Sequence, residues 1–341
     1  MELFDAAKPV CALAPMQDIT DFGFMSVIAE CGAPDFFVAE YFRVHEFSTL
    51  EKSVLKTVLS SPASKPVAAQ IIGEDEFHIA RTISLLKKYP QIKYLDLNIG
   101  CPAPKVYRKN VGGGLLKEPK KIRSILKAMR ENWGGFLSVK TRLGFDSADL
   151  LEEIVGIINE SGADFLTLHG RTVRQLYRGE ADYGAIKKAA SLSKIPLIAN
   201  GDLTSAKKAL EVAAYTGASG VMIGRHAVRN PWIFRQINEL RQNREMFLPT
   251  LADAYEYVEK IHEHIIKTNP QIRYADGRMK KFLNFIGLGV DEDGAFLNEM
   301  RRAEGVAQLF EICKKHMLKN PSKPFALEPY PNLCSRPNHE L

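Results

Sequence analysis

Short apolar segments rich in β-branched residues recur along the first two thirds of the chain. The eight segments lie at 10–15, 36–41, 66–73, 94–100, 136–144, 165–171, 196–202 and 220–225. Between most of them, apolar residues recur with the 3.6-residue period of an amphipathic helix, and several of these stretches end at glycine. Strand followed by helix, repeated eight times, predicts an α/β fold of the (β/α)₈ type, a TIM barrel.

A doubly wound open sheet is the alternative interpretation of the same alternation. Nearly every predicted strand ends in polar or glycine residues, and the carboxyl ends of the strands build the active site of a barrel. The G-x-G-x-x-G fingerprint that follows the first strand of a doubly wound dinucleotide-binding fold is absent. We therefore predict a barrel domain over residues 1–240.

The pattern changes after about residue 245, where strand-like segments stop. Apolar residues have helical spacing at 252–269, 273–290 and 297–320, which predicts a small all-α C-terminal domain over residues 241–320. The proline-rich segment 321–341 is predicted to be an extended tail.

Composition narrows the class of protein. Hydrophobic residues make up 45% and charged residues 25% of the chain, as in ordinary globular proteins. With no long apolar run and no signal-peptide layout at the start, we expect a soluble, cytoplasmic protein without a membrane partner. Five cysteines without any C-x-x-C pair indicate neither a disulfide framework nor a metal site. Lys and Arg exceed Asp and Glu by 46 − 40 = 6, which permits a polyanionic partner.

Polar and glycine residues gather at the predicted strand ends, which meet at one rim of a barrel. They are Pro15, Met16 and Gln17, Glu40, Gln70, Asn98 and Cys101, Lys140 and Arg142, His169 and Arg171, Asn200, Gly201 and Asp202, and Gly224 and Arg225. Each alone has a structural interpretation, such as a histidine hydrogen-bonded in the core or a lysine reaching solvent. Eight strands that all end in this way indicate a ligand pocket.

The strand ends also suggest the kind of ligand. Glycine followed by a charged residue occurs at 201–202 and 224–225, after the strands where barrels commonly bind phosphate through loop amides and a helix N-terminus. Side-chain donors on the middle strands suit a polar heterocycle, and the APM motif offers a floor for a flat ring. This pattern fits flavin mononucleotide (FMN), although a phosphorylated sugar would also satisfy the loops. The predicted cofactor-binding residues are Pro15, Met16, Gln70, Lys140, His169, Asn200, Gly201, Asp202, Gly224 and Arg225.

Several motifs together resemble those of the tRNA-dihydrouridine synthases, flavin-dependent barrel enzymes that reduce uridine in tRNA. They are APMQDITD, VAAQIIG, DLNIGCPAPKVYRKNVGGGLL, VKTRLG, LHGRTVRQLYRG, IANGDL and VMIGR, and they cover residues 10–235 densely. NIGCP is the most specific of them. The chain departs from the family at Gly112–Gly113–Gly114, where many members have Gly-Ala or Gly-Ser. EYFRV and the spacing of LYRG look closest to the bacterial branch that acts on D-loop uridines.

The resemblance implies that the C5–C6 double bond of uracil is reduced with FMN, which NADPH reduces in turn. The flavin supplies a hydride to C6, and an acid must supply a proton to C5. Cys101 suits this role, because a thiol with an ordinary pKa of about 8.5 is protonated at neutral pH yet acidic enough to give up its proton. Gly100 and Pro102 would fix its loop. A buried cysteine that merely fills space is the structural alternative.

Further roles follow from the resemblance by position. A uridine stacked in tRNA must be flipped out to reach a barrel mouth, so the RNA has to be held elsewhere, and basic residues cluster at 273–281 and 313–323. The predicted substrate-binding residues are Asn98 at the uracil edge, Arg171, Tyr177 and Arg178 at the mouth, and Arg278, Lys280 and Lys281 on tRNA phosphates. Two alternatives remain: an aldolase-like barrel with Lys140 as Schiff-base nucleophile, and a non-catalytic RNA-binding protein.

Overall fold

Nine parallel strands form the central sheet of the computed structural model, which describes residues 4, 8–268 and 275–327. The strands are β1 (Val10–Leu13), β2 (Phe36–Val38), β3 (Phe42–Arg43), β4 (Val67–Ile72), β5 (Tyr94–Asn98), β6 (Phe136–Arg142), β7 (Phe165–His169), β8 (Leu197–Asn200) and β9 (Gly220–Ile223). β1 pairs with both β2 and β9, and β2 also pairs with β4, so eight of the strands close into a barrel. The predicted TIM barrel is confirmed.

The second predicted strand divides in two, which is why there are nine strands and not eight. β2 ends at Val38, and the chain bends through Ala39, Glu40 and Tyr41 before Phe42 pairs with β4 as the first residue of β3. This bend turns Glu40 and Tyr41 toward the mouth of the barrel.

Helices surround the barrel, and several begin at the capping residues that the sequence places there. The helices are α1 (Phe22–Gly32), α2 (Lys52–Val58), α3 (Glu76–Leu86), α4 (Pro104–Tyr107), α5 (Pro119–Asn132), α6 (Leu151–Glu160), α7 (Tyr183–Leu192), α8 (Ala206–Thr216), α9 (Arg225–Arg229) and α10 (Ile233–Arg241), with 3₁₀ turns at Pro62–Ser64 and Gly112–Lys117. Asp21, Asp75, Asp182 and Ser205 each accept a backbone N–H from the first turn of the following helix.

The barrel interior is apolar at one end and polar at the other. Phe36, Phe165 and Ile198 belong to a buried cluster inside the barrel, separate from the larger core between the strands and the helices. Because side chains alternate along a strand, the next inward positions belong to residues such as Gln70 and Asp96, and both are buried. The apolar cluster therefore supports a polar layer at the carboxyl ends of the strands.

A group of four helices follows the barrel, as predicted. They are α11 (Leu251–Thr268), α12 (Ala275–Ile286), α13 (Ala295–Arg302) and α14 (Gly305–Met317). α11 and α12 pack on α1, where the rings of Phe24 and Phe282 lie 5.5 Å apart. The guanidinium of Arg229 in α9 donates to the carbonyl of Leu288 at 2.8 Å. The boundary at residue 240 stays a prediction.

The predicted extended tail is corrected where it is described. The Phe325 N–H donates to the Pro249 carbonyl at 2.8 Å, and the Phe325 side chain is fully buried. An apolar residue in the proline-rich segment thus anchors it against the start of α11. Residues 328–341 and the predicted helical positions 269–274, including Arg273, lie outside the described residues. Within the ranges that are described, no helix is long and apolar enough to cross a membrane.

Candidate active site

A cavity of about 470 Å³ opens at the carboxyl ends of the strands and collects most of the predicted site residues. Those that line it are Pro15, Met16, Gln70, Asn98, Cys101, Lys140, His169, Tyr177, Asn200, Gly201, Asp202, Gly224 and Arg225. Phe285 of α12 closes part of the wall, so the helical region contributes to the cavity as well.

The loop that carries Cys101 is held from both sides. The side-chain oxygen of Asn98 accepts the backbone N–H of Gly100 at 3.1 Å and that of Cys101 at 2.9 Å. From the other side, the Gly113 N–H donates to the Cys101 carbonyl at 3.1 Å. A Cβ atom at Gly113 would lie 2.8 Å from that carbonyl oxygen, so the glycine lets the 3₁₀ turn touch the cysteine backbone. The unusual triple glycine therefore fixes the position of Cys101.

Behind Asn98 lies a chain of buried polar groups. The amide of Asn98 donates to the side-chain oxygen of Gln70 at 2.9 Å, and the Gln70 amide donates to the Asp96 carboxylate at 2.7 Å. Ser138 donates to the other carboxylate oxygen. Burial raises the pKa of Asp96, while its bonds from Ser138 and Gln70 oppose that rise. This network leaves one N–H of each amide to face the cavity.

The thiol of Cys101 is partly exposed within the cavity and is protonated at neutral pH. Burial raises its pKa, an effect opposed by the backbone N–H of Ala103 and by Arg142, by the hydroxyl of Tyr41 and by Lys140. Cys11, Cys31 and Cys313 are fully buried, and burial raises the pKa of each to about 12. Among the described cysteines, Cys101 alone combines a place in the cavity with access to a ligand.

Lys140 and Arg142 make the far wall of the cavity cationic. The ammonium of Lys140 donates to the side-chain oxygen of Asn200 at 3.1 Å, and burial together with Arg142 lowers the pKa of Lys140 to about 8. Arg142 is buried and donates to the carbonyls of Thr172 and Leu176 at 2.9 and 2.7 Å. Opposite charge is scarce here, so the wall favours a negatively charged ligand.

His169 lies on the same wall in its neutral form. Burial lowers its pKa well below the ordinary value of 6.5, and the neighbouring cations Arg142, Lys140, Arg171 and Arg225 lower it further. Its Nδ1 atom is buried and has no hydrogen-bond partner in the structure. An unpartnered buried nitrogen at a cavity wall is a position for a ligand group.

Tyr177 lies between two guanidinium groups at the mouth. The guanidinium carbon of Arg225 is 4.3 Å and that of Arg142 is 5.3 Å from the centre of its ring. The ring of His169 stands 6.5 Å away, edge to face. These cation–π contacts hold the aromatic ring at the entrance, where it can contact a flat ligand.

Gly201 and Gly224 form the part of the rim predicted to bind phosphate. Gly201 has a φ of +115°, and a Cβ atom there would lie 2.9 Å from the Cβ of Ala181, so a larger residue would be strained. Gly224 precedes α9, whose first N–H groups have no acceptor within the helix. Asn200 is fixed by donating to the Met222 carbonyl at 2.7 Å.

The prediction that Arg171 binds the substrate is wrong. Its side chain is fully buried and donates to both carboxylate oxygens of Asp202, at 2.9 and 2.6 Å. It also donates to the carbonyls of Arg178 and Gly179. Arg171 therefore holds the loop that carries Tyr177, and it also holds the carboxylate of Asp202. The Arg178 side chain is exposed outside the cavity, and its substrate role stays a prediction.

The basic residues of α12 do not form a separate phosphate-binding surface. Arg278 forms an ion pair with Asp21, and Lys281 lies 3.3 Å from Asp18. Lys280 donates to the carbonyl of Ala303 at 2.6 Å, and to that of Arg301, at the end of α13. The expectation that all three hold tRNA is corrected accordingly, because Lys280 is used within the helical region and Arg278 joins it to the barrel.

Sequence reasoning missed Tyr41, Asp96 and Phe285 as parts of the site. Asp96 had a signal, since it precedes Asn98 by two residues in β5 and must share its face. Glu40 was noted only as a strand end, yet it lines the cavity and burial raises its pKa to about 7. No cluster of three or more His, Cys, Asp or Glu side chains suited to a metal occurs in the described part of the chain.

Comparison with known proteins identifies relatives of this chain. The family model described as Dihydrouridine synthase (Dus) matches residues 12–320. A probable tRNA-dihydrouridine synthase of Helicobacter pylori is 37% identical over 227 residues, which cover 66% of this chain and 69% of the relative. The tRNA-dihydrouridine synthase B of Escherichia coli K12 is 37% identical over 240 residues, which cover 69% of this chain and 73% of the relative.

Solved structures share the fold at low sequence identity. A 2-naphthoyl-CoA reductase in complex with 2-naphthoyl-CoA has a TM-score of 0.54 at 10% identity, covering 69% of this chain and 50% of that one. A variant of NCR from Zymomonas mobilis has a TM-score of 0.50 at 13% identity, covering 72% of this chain and 90% of that one. The family match spans most of the chain, and the relatives agree with it. The chain therefore belongs to the dihydrouridine synthase family and is an enzyme of that type.

Proposed function

We propose that the protein reduces the C5–C6 double bond of a uridine in tRNA, probing a D-loop position, with FMN as resident cofactor and NADPH as reductant. One observation carries the proposal: a protonated, ligand-accessible thiol, Cys101, lies on the rim of a cationic cavity that is large enough for a flat heterocycle. Membership of the family supports the reaction and the tRNA substrate. A non-catalytic RNA-binding role and aldolase chemistry at Lys140 would both leave this thiol unused.

The residues of the cavity fit FMN. The unpartnered Nδ1 of His169 offers a hydrogen bond to a heteroatom of a ring system, and Lys140 offers a positive charge beside it. Gly201, Gly224 and Arg225 would hold the phosphate, since glycine leaves room and the start of α9 favours an anion. Pro15 and Met16 would form the floor under the flat ring, with Gln70, Asn200 and Asp202 completing the lining.

The chain's own residues would perform the proton chemistry. When bound and reduced, the flavin supplies the hydride that is added to C6 of uracil. The thiol of Cys101 gives its proton to C5, so an S–H bond breaks and a C–H bond forms. Asn98 keeps the thiol in place through the backbone of the loop. The ammonium of Lys140 stabilises the negative charge that develops on the uracil ring in the transition state.

Entry of the base requires that the uridine leave the stack of the tRNA. Tyr177 stands at the mouth, where its ring offers a face on which the flipped base can stack. The exposed side chain of Arg178 follows it directly and can reach a phosphate of the same nucleotide. This loop is held by the buried Arg171, which explains why an arginine without access to the ligand matters for binding.

The experiment that tests the proposal compares Cys101→Ala with Cys313→Ala, the same change at a fully buried thiol. Both variants should release FMN on denaturation and should oxidise NADPH like the wild type. Uridine reduction in unmodified tRNA should fall about 10²-fold or more only in Cys101→Ala. A protein that neither contains nor takes up FMN would contradict the cofactor, and full turnover of Cys101→Ala would contradict the role of the thiol.

A further inference from the structure

The hydroxyl of Tyr41 lies between the thiol of Cys101 and the outer rim of the cavity. Tyr41 occupies the bend between β2 and β3 and lines the cavity together with Gln17 and Cys101. Its hydroxyl donates to the side-chain oxygen of Gln17 at 3.2 Å and is within hydrogen-bonding reach of the thiol. The exposed guanidinium of Arg43 lies 5.9 Å from the centre of the Tyr41 ring. Polar groups thus connect the thiol to solvent.

A single hydroxyl can donate only one hydrogen bond, and this restricts how Tyr41 bonds at each stage. While Cys101 is protonated, the hydroxyl donates to Gln17, and its oxygen can accept the S–H. Once the thiol has given its proton to a substrate, the sulfur becomes an acceptor only. The O–H of Tyr41 can then turn from Gln17 to the thiolate.

We propose that Tyr41 is a positioning residue that aims the Cys101 thiol and returns a proton to it from water at the rim after each turnover. This inference rests on the proposed role of Cys101 as proton donor. The S–H proton is lost to C5 of uracil, and the O–H proton of Tyr41 passes to the thiolate. Water at the rim then restores the proton of Tyr41, so that each cycle takes up one proton from solvent and requires no further oxidant or reductant.

The charged groups around the pair favour this arrangement. Arg142 and Lys140 of β6 face the thiol, and Arg43 faces Tyr41 from β3. Burial raises the pKa of Tyr41 to about 12, so its hydroxyl stays protonated over the working range of pH. The cations stabilise a transient thiolate, and the hydroxyl can supply the proton that restores the thiol.

The test removes only the hydroxyl, with the variant Tyr41→Phe of the FMN-loaded protein. The pH dependence of Cys101 alkylation by iodoacetamide is followed by mass spectrometry of the peptide that contains this cysteine. Loss of a hydrogen bond to the thiolate should raise the pH midpoint of alkylation by about 1 unit. Uridine reduction should slow about 10-fold, while NADPH oxidation by the free enzyme stays unchanged.

The matched control is Tyr107→Phe, which makes the same chemical change in α4, outside the lining of the cavity. It should leave both the midpoint and the rate unchanged. Arg43→Gln provides a second variant, and its midpoint should rise by a smaller amount because a cation near the pair is lost.

The outcomes separate this inference from the proposed function. An unchanged alkylation midpoint in Tyr41→Phe overturns the contact with the thiol. A raised midpoint with an unchanged rate of uridine reduction overturns the return of the proton. Full turnover of Cys101→Ala would instead refute the proposed function, and the alkylation midpoint would still report whether Tyr41 bonds to the thiol.

Discussion

The side-chain oxygen of Asn98 accepts the backbone N–H of Cys101 at 2.9 Å, so the residue that ends β5 fixes the thiol three positions later. The other end of the same amide donates to Gln70. Asn98 thus acts on the chemistry through the backbone of the loop, and only its second N–H is left for the uracil edge.

Replacing Asn98 by Ala should therefore loosen the Cys101 loop. The N–H groups of Gly100 and Cys101 lose their acceptor, which should lower the free energy of unfolding by about 1–3 kcal/mol. Single-turnover uridine reduction should slow more than 10-fold by rough estimate, because the thiol is no longer aimed. Asn132→Ala, at the end of α5, is the control and should leave the reaction rate unchanged. A normal rate in Asn98→Ala would show that the loop keeps its geometry unaided.

Lys140 should reduce stability while serving the reaction. Its pKa falls from an ordinary 10.5 to about 8, first through burial and then through Arg142, so the unfolded chain binds more protons between these values. The free energy of unfolding contributed by this group thus rises with pH through that window, and below about pH 8 the buried charge costs about 3 kcal/mol. Lys140→Met should stabilise the flavin-free protein at pH 7, with the gain shrinking toward pH 10.5.

The same variant should lose uridine reduction, and the wild-type rate should decline above about pH 8 as the ammonium loses its proton. Denaturant unfolding of both proteins at several pH values measures the first effect, and initial rates measure the second. A Lys140→Met protein that is less stable at pH 7 would mean that the bond to Asn200 outweighs the cost of burial.

Lys281 should be the residue of α12 that contacts RNA. Its pair with Asp18 is 3.3 Å long and both side chains are substantially exposed, so the pair contributes little to stability. Lys281→Gln should flatten the slope of log affinity for tRNA against log salt by about 0.7–0.9. Asp18→Asn should strengthen tRNA binding, since it frees the same ammonium. Weaker binding in both variants would indicate that the pair serves only to join α12 to the barrel.

Lys280 should affect stability without affecting RNA binding. Its ammonium binds the carbonyls of Arg301 and Ala303 at the end of α13, where a helix favours a cation. Lys280→Met should therefore lower the free energy of unfolding by about 1 kcal/mol and leave the salt slope of tRNA binding as it is. The exposed Lys319→Met serves as the control for both measurements. A flattened slope in Lys280→Met would return this residue to the RNA-binding surface.

The barrel could be predicted because its signal is local and repeated. Each strand is a short apolar run, and each one ends where polar residues begin, so even the side of the sheet that carries the site follows from the pattern. The division of the second strand could not be predicted, because Phe42 continues the apolar run and only its pairing with Ile71 shows the bend.

The roles of individual charged residues were harder to predict than their positions. Arg171 and Arg225 both follow strands, yet one lies buried on Asp202 and the other lines the cavity. Sequence alone does not say which partner a long side chain will find across the barrel mouth. The same holds for Arg278, whose acidic partner Asp21 lies more than two hundred residues earlier in the chain.

Phe285 closes part of the cavity wall from α12, one helical turn after Lys281. The pocket is thus encoded by two distant stretches of the gene, and the barrel is not a module that could be exchanged without its helices. A substitution selected for a new RNA contact on α12 would also shift the wall beside the reacting base. Changes in RNA preference and in pocket shape should therefore have been inherited together as this protein diverged from its relatives.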